Sequence, residues 1–170
     1  MKKTKVAGFI GGPGSGKSIY AASLYGPLKM NGHNAELATE YAKDNVYEER
    51  FRTLTNQIYI FGKQHHRIFR LLDKVEIIIT DSPLVLCHIY DASKDVNLEN
   101  LVISEFKKLN NILFFLDRDA NTYSTDGRMQ NLEEAKQIVA EKHGYPSFLV
   151  GIFERSKPTC KYTIAELVNE

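Results

Sequence analysis

The sequence predicts an α/β protein, a three-layer α/β/α arrangement around a parallel sheet. Three observations predict it. Short apolar, β-branched runs alternate with stretches of helical spacing, the pattern that lays helices over both faces of a parallel sheet. The run at 75–80, Val-Glu-Ile-Ile-Ile-Thr, is apolar almost throughout, as a strand buried on both faces must be. The first run opens into Gly-Gly-Pro-Gly-Ser-Gly-Lys-Ser at 11–18, which fits G-x-x-x-x-G-K-[ST] at every position and lies between a strand and a helix.

In chain order, residues 5–10 read as a buried strand and 19–25 as the helix that covers it, with a stop in the Lys29 to His33 stretch. Residues 34–39 read as a second short strand ending at Glu40, and 41–47 as irregular or helical. From 55 to 72 a helix is expected, with Ile58, Phe61, His65, Ile68 and Leu72 on its apolar side. The strand at 75–80 ends in Asp81-Ser82-Pro83, and a helix follows at 84–90. After a polar loop around Ser93 come a helix at 100–109 and a fourth strand at 111–116, closed by Asp117-Arg118. A polar segment, a helix at 132–142, a strand at 147–152 and a helical tail complete a single expected domain over 1–170. In such a fold the binding residues gather beyond the C-terminal ends of the strands. That rim carries the loop at 11–18, Glu40, Asp81 and Asp117-Arg118.

The glycine-rich loop is built to hold phosphates. Glycines let the backbone curl until its amides point inward, and the following helix adds partial positive charge. Gly12, Pro13, Gly14, Ser15 and Gly16 are the expected cradle, Lys17 reaches the β/γ-phosphates, and the Ser18 hydroxyl ligates Mg²⁺. ATP and Mg²⁺ are therefore the expected cofactors. Asp81, after the most apolar strand, stands where a Walker B carboxylate belongs and is the second expected metal ligand. Glu40, on the neighbouring strand end, faces the acceptor as a candidate base. The residue after Asp81 is Ser82, not the glutamate that motor ATPases carry there, which favours transfer over hydrolysis.

The segment at about 118–131 has no core-forming run and reads as a lid. Arg118 and Arg128 supply guanidinium forks for charge in transfer, Gly127 supplies flexibility, and Tyr123 is placed to stack on a base or close the lid. On the acceptor side, the amide of Gln64 suits a base edge and Arg50 a phosphate. His65 and His66 are adjacent on a helix and diverge by about 100°, so they do not form a metal pair.

Charge is nearly balanced, with 22 Lys and Arg against 21 Asp and Glu, which argues against broad wrapping of nucleic acid but not against a pocket for one nucleotide. Cys87 and Cys160 are isolated and form neither a disulfide framework nor a metal set; each is expected to be a small buried side chain. No secretory or membrane-spanning run is visible, so a cytoplasmic, soluble protein with no membrane partner is expected.

The loop at 11–18, Thr39-Glu40-Tyr41-Ala42, Gln64-His65-His66, Thr80-Asp81-Ser82-Pro83, Arg118 with Tyr123, Gly127-Arg128, Gln130 and Glu133-Glu134-Ala135 together resemble a family of small P-loop kinases. That family includes nicotinamide-riboside-kinase-like AAA-type ATPase domains and bacteriophage proteins, some of which phosphorylate 5-hydroxymethyluracil in DNA. The resemblance spans about residues 5–150 and implies a nucleoside/nucleotide-kinase-like P-loop nucleoside triphosphate hydrolase fold, with Glu40 near the acceptor hydroxyl and the arginine segment as lid. It leaves the acceptor open among a nucleoside, a nucleotide, nicotinamide riboside and a modified base in DNA. The alternative to a kinase is a nucleotide-binding module whose hydrolysis gates a protein partner.

Overall fold

The computed structural model describes residues 3–116. Four parallel strands form its sheet: β1 (Lys5–Ile10), β2 (Ala35–Ala38), β3 (Ile77–Thr80) and β4 (Asn110–Phe115). Their spatial order is β2-β3-β1-β4, so the chain crosses over the sheet between each consecutive pair rather than turning back on itself. β1 is held on both sides, with Val6 opposite Ile78 on one neighbour and Asn111 on the other.

Alternation along β1 sorts the core into two layers. Ala7 and Phe9 face helix α1 (Lys17–Met30), where they pack with Ala21 and Leu28. Val6 and Ile10 face the opposite way, toward α4 (Gln57–Phe69), α5 (Val85–Ile89) and α6 (Val96–Lys108). Ile77 and Ile79 share the first layer and Ile78 the second, which is why every residue of β3 is apolar or buried. This is the expected α/β/α sandwich with a parallel sheet. Two short helices, α2 (Tyr41–Tyr47) and α3 (Phe51–Leu54), lead from β2 to α4.

The elements depart from the sequence expectations at their ends. α1 begins at Lys17, ahead of the expected 19, and runs through Pro27 to Met30, within the stretch from Lys29 to His33 where a stop is expected. Pro27 lacks an N–H and so weakens the helix there, but Leu28 next to it is fully buried against the sheet and holds the last turn in place. α6 starts at Val96, ahead of the expected 100, because the Asp95 carboxylate caps it by accepting from the Asn97 N–H at 2.8 Å. α4 starts at Gln57 behind an Asn56 cap, and its buried side carries Ile60, Phe61, Gln64 and Ile68. Ile58, expected on that side, is 64% exposed, since one apolar residue outside the stripe cannot turn the helix. α3 has no counterpart in the expected elements. The expected features beyond 116, including the lid at about 118–131, the strand at 147–152 and Cys160, lie outside the described residues.

Gly8 and Gly11 allow β1 and the loop after it to pass close beneath their neighbours. A Cβ on Gly8 would come within 2.6 Å of Pro83, and one on Gly11 within 2.7 Å of the Leu116 carbonyl oxygen. Both contacts lie at the rim where the strands end, so the rim is tightly set before any ligand arrives.

Candidate functional site

The chain leaving β1 curls at Gly14 and Gly16, both with φ of +84°, in the left-handed region that side-chain-bearing residues rarely enter. Gly16 is the N-cap of α1, so the loop's backbone delivers directly into the positive end of a long helix. Inside the loop, the Ser15 N–H donates to the Gly12 carbonyl at 3.2 Å. Lys17 folds back over it, its Nζ donating to the carbonyl oxygens of Gly11 at 2.9 Å and Gly12 at 3.0 Å. The ammonium is thus held at the mouth of the loop.

Asp81 follows β3 and is buried. Its Oδ2 accepts a hydrogen bond from the Ser18 hydroxyl at 2.6 Å, joining the loop to the strand end across 63 residues of sequence. Its Oδ1 is also buried and has no hydrogen-bond partner among the described residues. A buried carboxylate oxygen without a donor is costly unless a ligand supplies positive charge. Oxygen donors from a serine and an aspartate, beside a phosphate cradle, are the set that suits Mg²⁺, which takes few protein ligands and completes its shell with phosphate and water. The residues present therefore fit the expected ion.

Glu40 is the N-cap residue of α2 with an extended backbone, and its side chain makes no capping bond. It lines a cavity of about 580 Å³ that it shares with Gly14, Lys17 and Ser18 of the loop and with Cys87 of α5. The volume lies within the range of about 300–1,000 Å³ typical of small-ligand sites. Apolar walls come from Val46, Leu54, Ile60 and Leu86. The structure thus brings Lys17, Ser18 and Glu40 to one cavity and ties Asp81 to it through Ser18.

Two expected acceptor residues stand elsewhere. Gln64 is 1% exposed and is turned into the core, where its Oε1 accepts from the Tyr41 N–H at 2.9 Å. Asn45, equally buried, donates from Nδ2 to the Tyr41 carbonyl at 3.1 Å. Rotating either amide would set donor against donor or acceptor against acceptor, so the Tyr41 peptide fixes both. Together they clamp the residue after Glu40, a structural use of Gln64 rather than contact with a base edge. Arg50 is exposed, pairs with Glu48 at 3.0 Å and does not line the cavity. Its guanidinium is met by a neighbouring carboxylate on the surface instead. Arg118, Tyr123 and Arg128 lie outside the described residues. Among the described residues there is no group of three or more His, Cys, Asp or Glu side chains able to hold a metal, and His65 instead packs its ring between Phe61 and Phe69.

The loop after α5 contributes residues that the sequence reading left unassigned. Tyr90, Asp91 and Ser93 line the cavity. Asp91 is buried, and its carboxylate accepts from the Ser93 N–H and hydroxyl and from the Asp95 N–H. Burial opposes its charged form, but the Ser93 hydroxyl and the backbone N–H groups outweigh it and hold the carboxyl below the usual range. The Asp-x-Ser pattern at 91–93 is the local signal of such a turn; its place at the cavity had none.

Cys87 is buried as expected, and its thiol is pushed up to about 12, first by burial and then by the nearby charge of Glu40. The protonated thiol is the form the fold favours. Its contribution to stability is therefore complete below the ordinary thiol range and is lost as pH rises from there toward 12. Native protein should resist iodoacetamide at Cys87 at pH about 8, whereas urea-unfolded protein should be alkylated readily. Peptide mapping by mass reads both, and rapid modification of the native thiol would contradict its placement.

Comparison with known proteins bears on the same residues. None of the curated proteins matches the sequence. Among solved structures, a cysteine-to-alanine mutant of the APS kinase CysC of Mycobacterium tuberculosis is similar at 19% identity and a TM-score of 0.43, covering 81% of this chain and 96% of that one. The protein named APE1195 is similar at 19% identity and a TM-score of 0.43, covering 99% of this chain and 93% of its own. The family model described as an AAA domain matches residues 7–143, from the middle of β1 past the whole site just described. The match spans the phosphate loop, the Ser18–Asp81 link and the parallel strands that carry them, and the chain belongs to this AAA domain family of P-loop nucleotide-binding proteins.

Proposed function

We propose that the protein is a Mg²⁺-dependent kinase that transfers the γ-phosphate of ATP to a hydroxyl of a nucleoside, a nucleotide or a hydroxymethylated DNA base, with 5-hydroxymethyluracil in DNA as a leading acceptor. One observation carries the reading: a single cavity is lined by Lys17 and Ser18 of the phosphate loop and by the carboxylate-bearing Glu40. The roomy, partly apolar compartment beside the phosphates is more than an attacking water needs. A transferase needs one for its acceptor.

In this reading the amides of the loop and the α1 N-terminus bind the donor's phosphates, and Lys17 exchanges its two carbonyl partners for phosphate oxygens. Ser18 and Asp81 hold the metal, which when bound screens the phosphate charge. Glu40 accepts the proton of the attacking hydroxyl while that oxygen bonds to the γ-phosphorus and the bond from phosphorus to the bridging oxygen breaks, leaving ADP. Arg118 and Arg128 meet the charge of the transferred group, and Tyr123 closes over the donor. Ser82 stands where motor ATPases commonly carry the glutamate that activates water, which supports transfer over hydrolysis.

The test is incubation with Mg·ATP labelled at the γ-phosphate and a panel of nucleosides, nucleotides, nicotinamide riboside and hydroxymethylated DNA. A labelled acceptor supports the kinase. Release of labelled phosphate alone, unchanged by every acceptor, would assign the site to hydrolysis linked to a protein partner.

A further inference from the structure

We propose that a basic recess behind Glu40, separate from the cavity, binds a phosphate group carried by the acceptor. The proposal rests on the reading that the acceptor hydroxyl lies beside Glu40. The recess has a volume of about 470 Å³ and is lined by Lys63, His66 and Arg67 of α4, by its C-cap Arg70, and by Thr39 and Tyr41 across from them.

These four residues fall at i, i+3, i+4 and i+7, and Arg70 keeps helical backbone angles, so they form one stripe along the helix. The buried stripe of Ile60, Phe61, Gln64 and Ile68 fixes which way α4 is turned, and the cationic stripe follows from it. Among the described residues the one carboxylate lining the recess, Asp44, is paired with Arg67. Arg67 also donates to the Thr39 carbonyl at 3.0 Å and hydroxyl at 2.9 Å and lies over the Tyr41 ring at 5.2 Å. Arg67 therefore builds the wall. Lys63 lies over the Tyr59 ring, while the side chains of His66 and Arg70 have no hydrogen-bond or ion-pair partner among the described residues. In a chain whose basic and acidic residues balance at 22 to 21, this is a local excess and not a reflection of a basic protein. An ammonium and a guanidinium around a concave floor suit a phosphate.

The position decides what that phosphate belongs to. Side chains alternate where β2 runs into α2: Thr39 and Tyr41 line the recess, whereas Glu40 and Ala42 line the cavity. The recess and the cavity therefore lie on the two sides of the segment 39–42, and an acceptor lying over that segment would present its hydroxyl to Glu40 and its phosphate to Lys63 and Arg70. The phosphate can be the terminal group of a mononucleotide or a diester of a polynucleotide strand.

Binding without turnover tests this. Wild-type protein is titrated with thymidine, with thymidine 5′-monophosphate and with a fluorescein-labelled single-stranded oligonucleotide, at about 50 and about 200 mM salt. The same titrations follow for Lys63→Glu/Arg70→Glu and for Lys74→Glu/Lys107→Glu, which carries an equal charge change at the other end of the strands. The expected result is tighter binding of a phosphate-bearing probe than of thymidine, weakened about 10-fold or more in the recess variant only, with a shallower salt dependence. Affinity for a non-hydrolysable ATP analogue should be the same in all three proteins. Loss for the monophosphate identifies a terminal phosphate, and loss for the oligonucleotide alone identifies a strand. Equal losses in both variants, or no preference for phosphate-bearing probes, would overturn the proposal. Binding that depends on the recess in a protein that transfers no phosphate would sink the kinase reading and leave the recess standing.

Discussion

Lys17→Ala should reduce phosphoryl transfer by about 10²–10³-fold or more, the scale seen when one preorganised charge donor is removed from a reacting centre. Nothing else in the described loop can stand in for it: the remaining donors are backbone amides and the Ser15 and Ser18 hydroxyls, none of them charged. The fold should persist. Lys17 is at the first turn of α1, and its Nζ bonds carbonyl oxygens of the loop itself, at 2.9 and 3.0 Å. Its loss leaves no cavity among Ala7, Phe9 and Leu28, which hold α1 to the sheet. Transfer measured with labelled ATP, beside a thermal unfolding curve, separates the two effects. Near-normal transfer by a folded Lys17→Ala protein would mean that the phosphates are not held at this loop.

Glu40→Gln should slow transfer by about 10²–10⁴-fold, the range assigned to a positioned general base, while donor affinity stays near that of wild type. The amide is isosteric and Glu40 makes no capping bond to α2, so the helix start and the Gln64–Tyr41–Asn45 clamp are retained. Asp81→Asn should behave differently. It replaces the oxygen pair of which Oδ2 meets Ser18 and Oδ1 is buried without a partner, and so weakens metal-dependent donor binding for every acceptor. Raising Mg²⁺ should restore part of the Asp81→Asn defect and none of the Glu40→Gln defect. Titration of an ATP analogue at several Mg²⁺ concentrations, alongside turnover, distinguishes them. Should Glu40→Gln lose donor affinity while Asp81→Asn turns over normally, the two carboxylates would have to exchange roles.

The parts of the site that could be read from the sequence are those carried by contiguous residues. Eight positions from Gly11 to Ser18 define a backbone shape by themselves, because glycines at 14 and 16 admit the left-handed conformation and the lysine and serine follow at set offsets. The strand ending at Asp81 was legible for the same reason: three consecutive isoleucines have no other comfortable home than the middle of a sheet covered on both faces. Parallel topology followed from alternation of strands and helices, and parallel topology alone brings Ser18 and Asp81 to the same rim.

Helix rotation and side-chain partnership were decided only by the tertiary structure. Gln64 looked like a polar group on offer to a ligand, yet α4 begins at Gln57 and turns Gln64 inward with Phe61 and Ile68, where it meets a peptide 23 residues earlier in the chain. A buried amide and an exposed one read alike in a sequence, because the difference lies in whether a distant backbone group arrives to satisfy it. Arg50 and Arg70 likewise look equivalent; one is met by Glu48, and the other is carried by the helix to a recess beside the cavity. Local spacing determined the phosphate loop and the strand ends. Which polar side chains face a ligand was set by packing between segments far apart in the chain, where burial of the apolar stripe of α4 outweighs any preference of the polar residues it carries round with it.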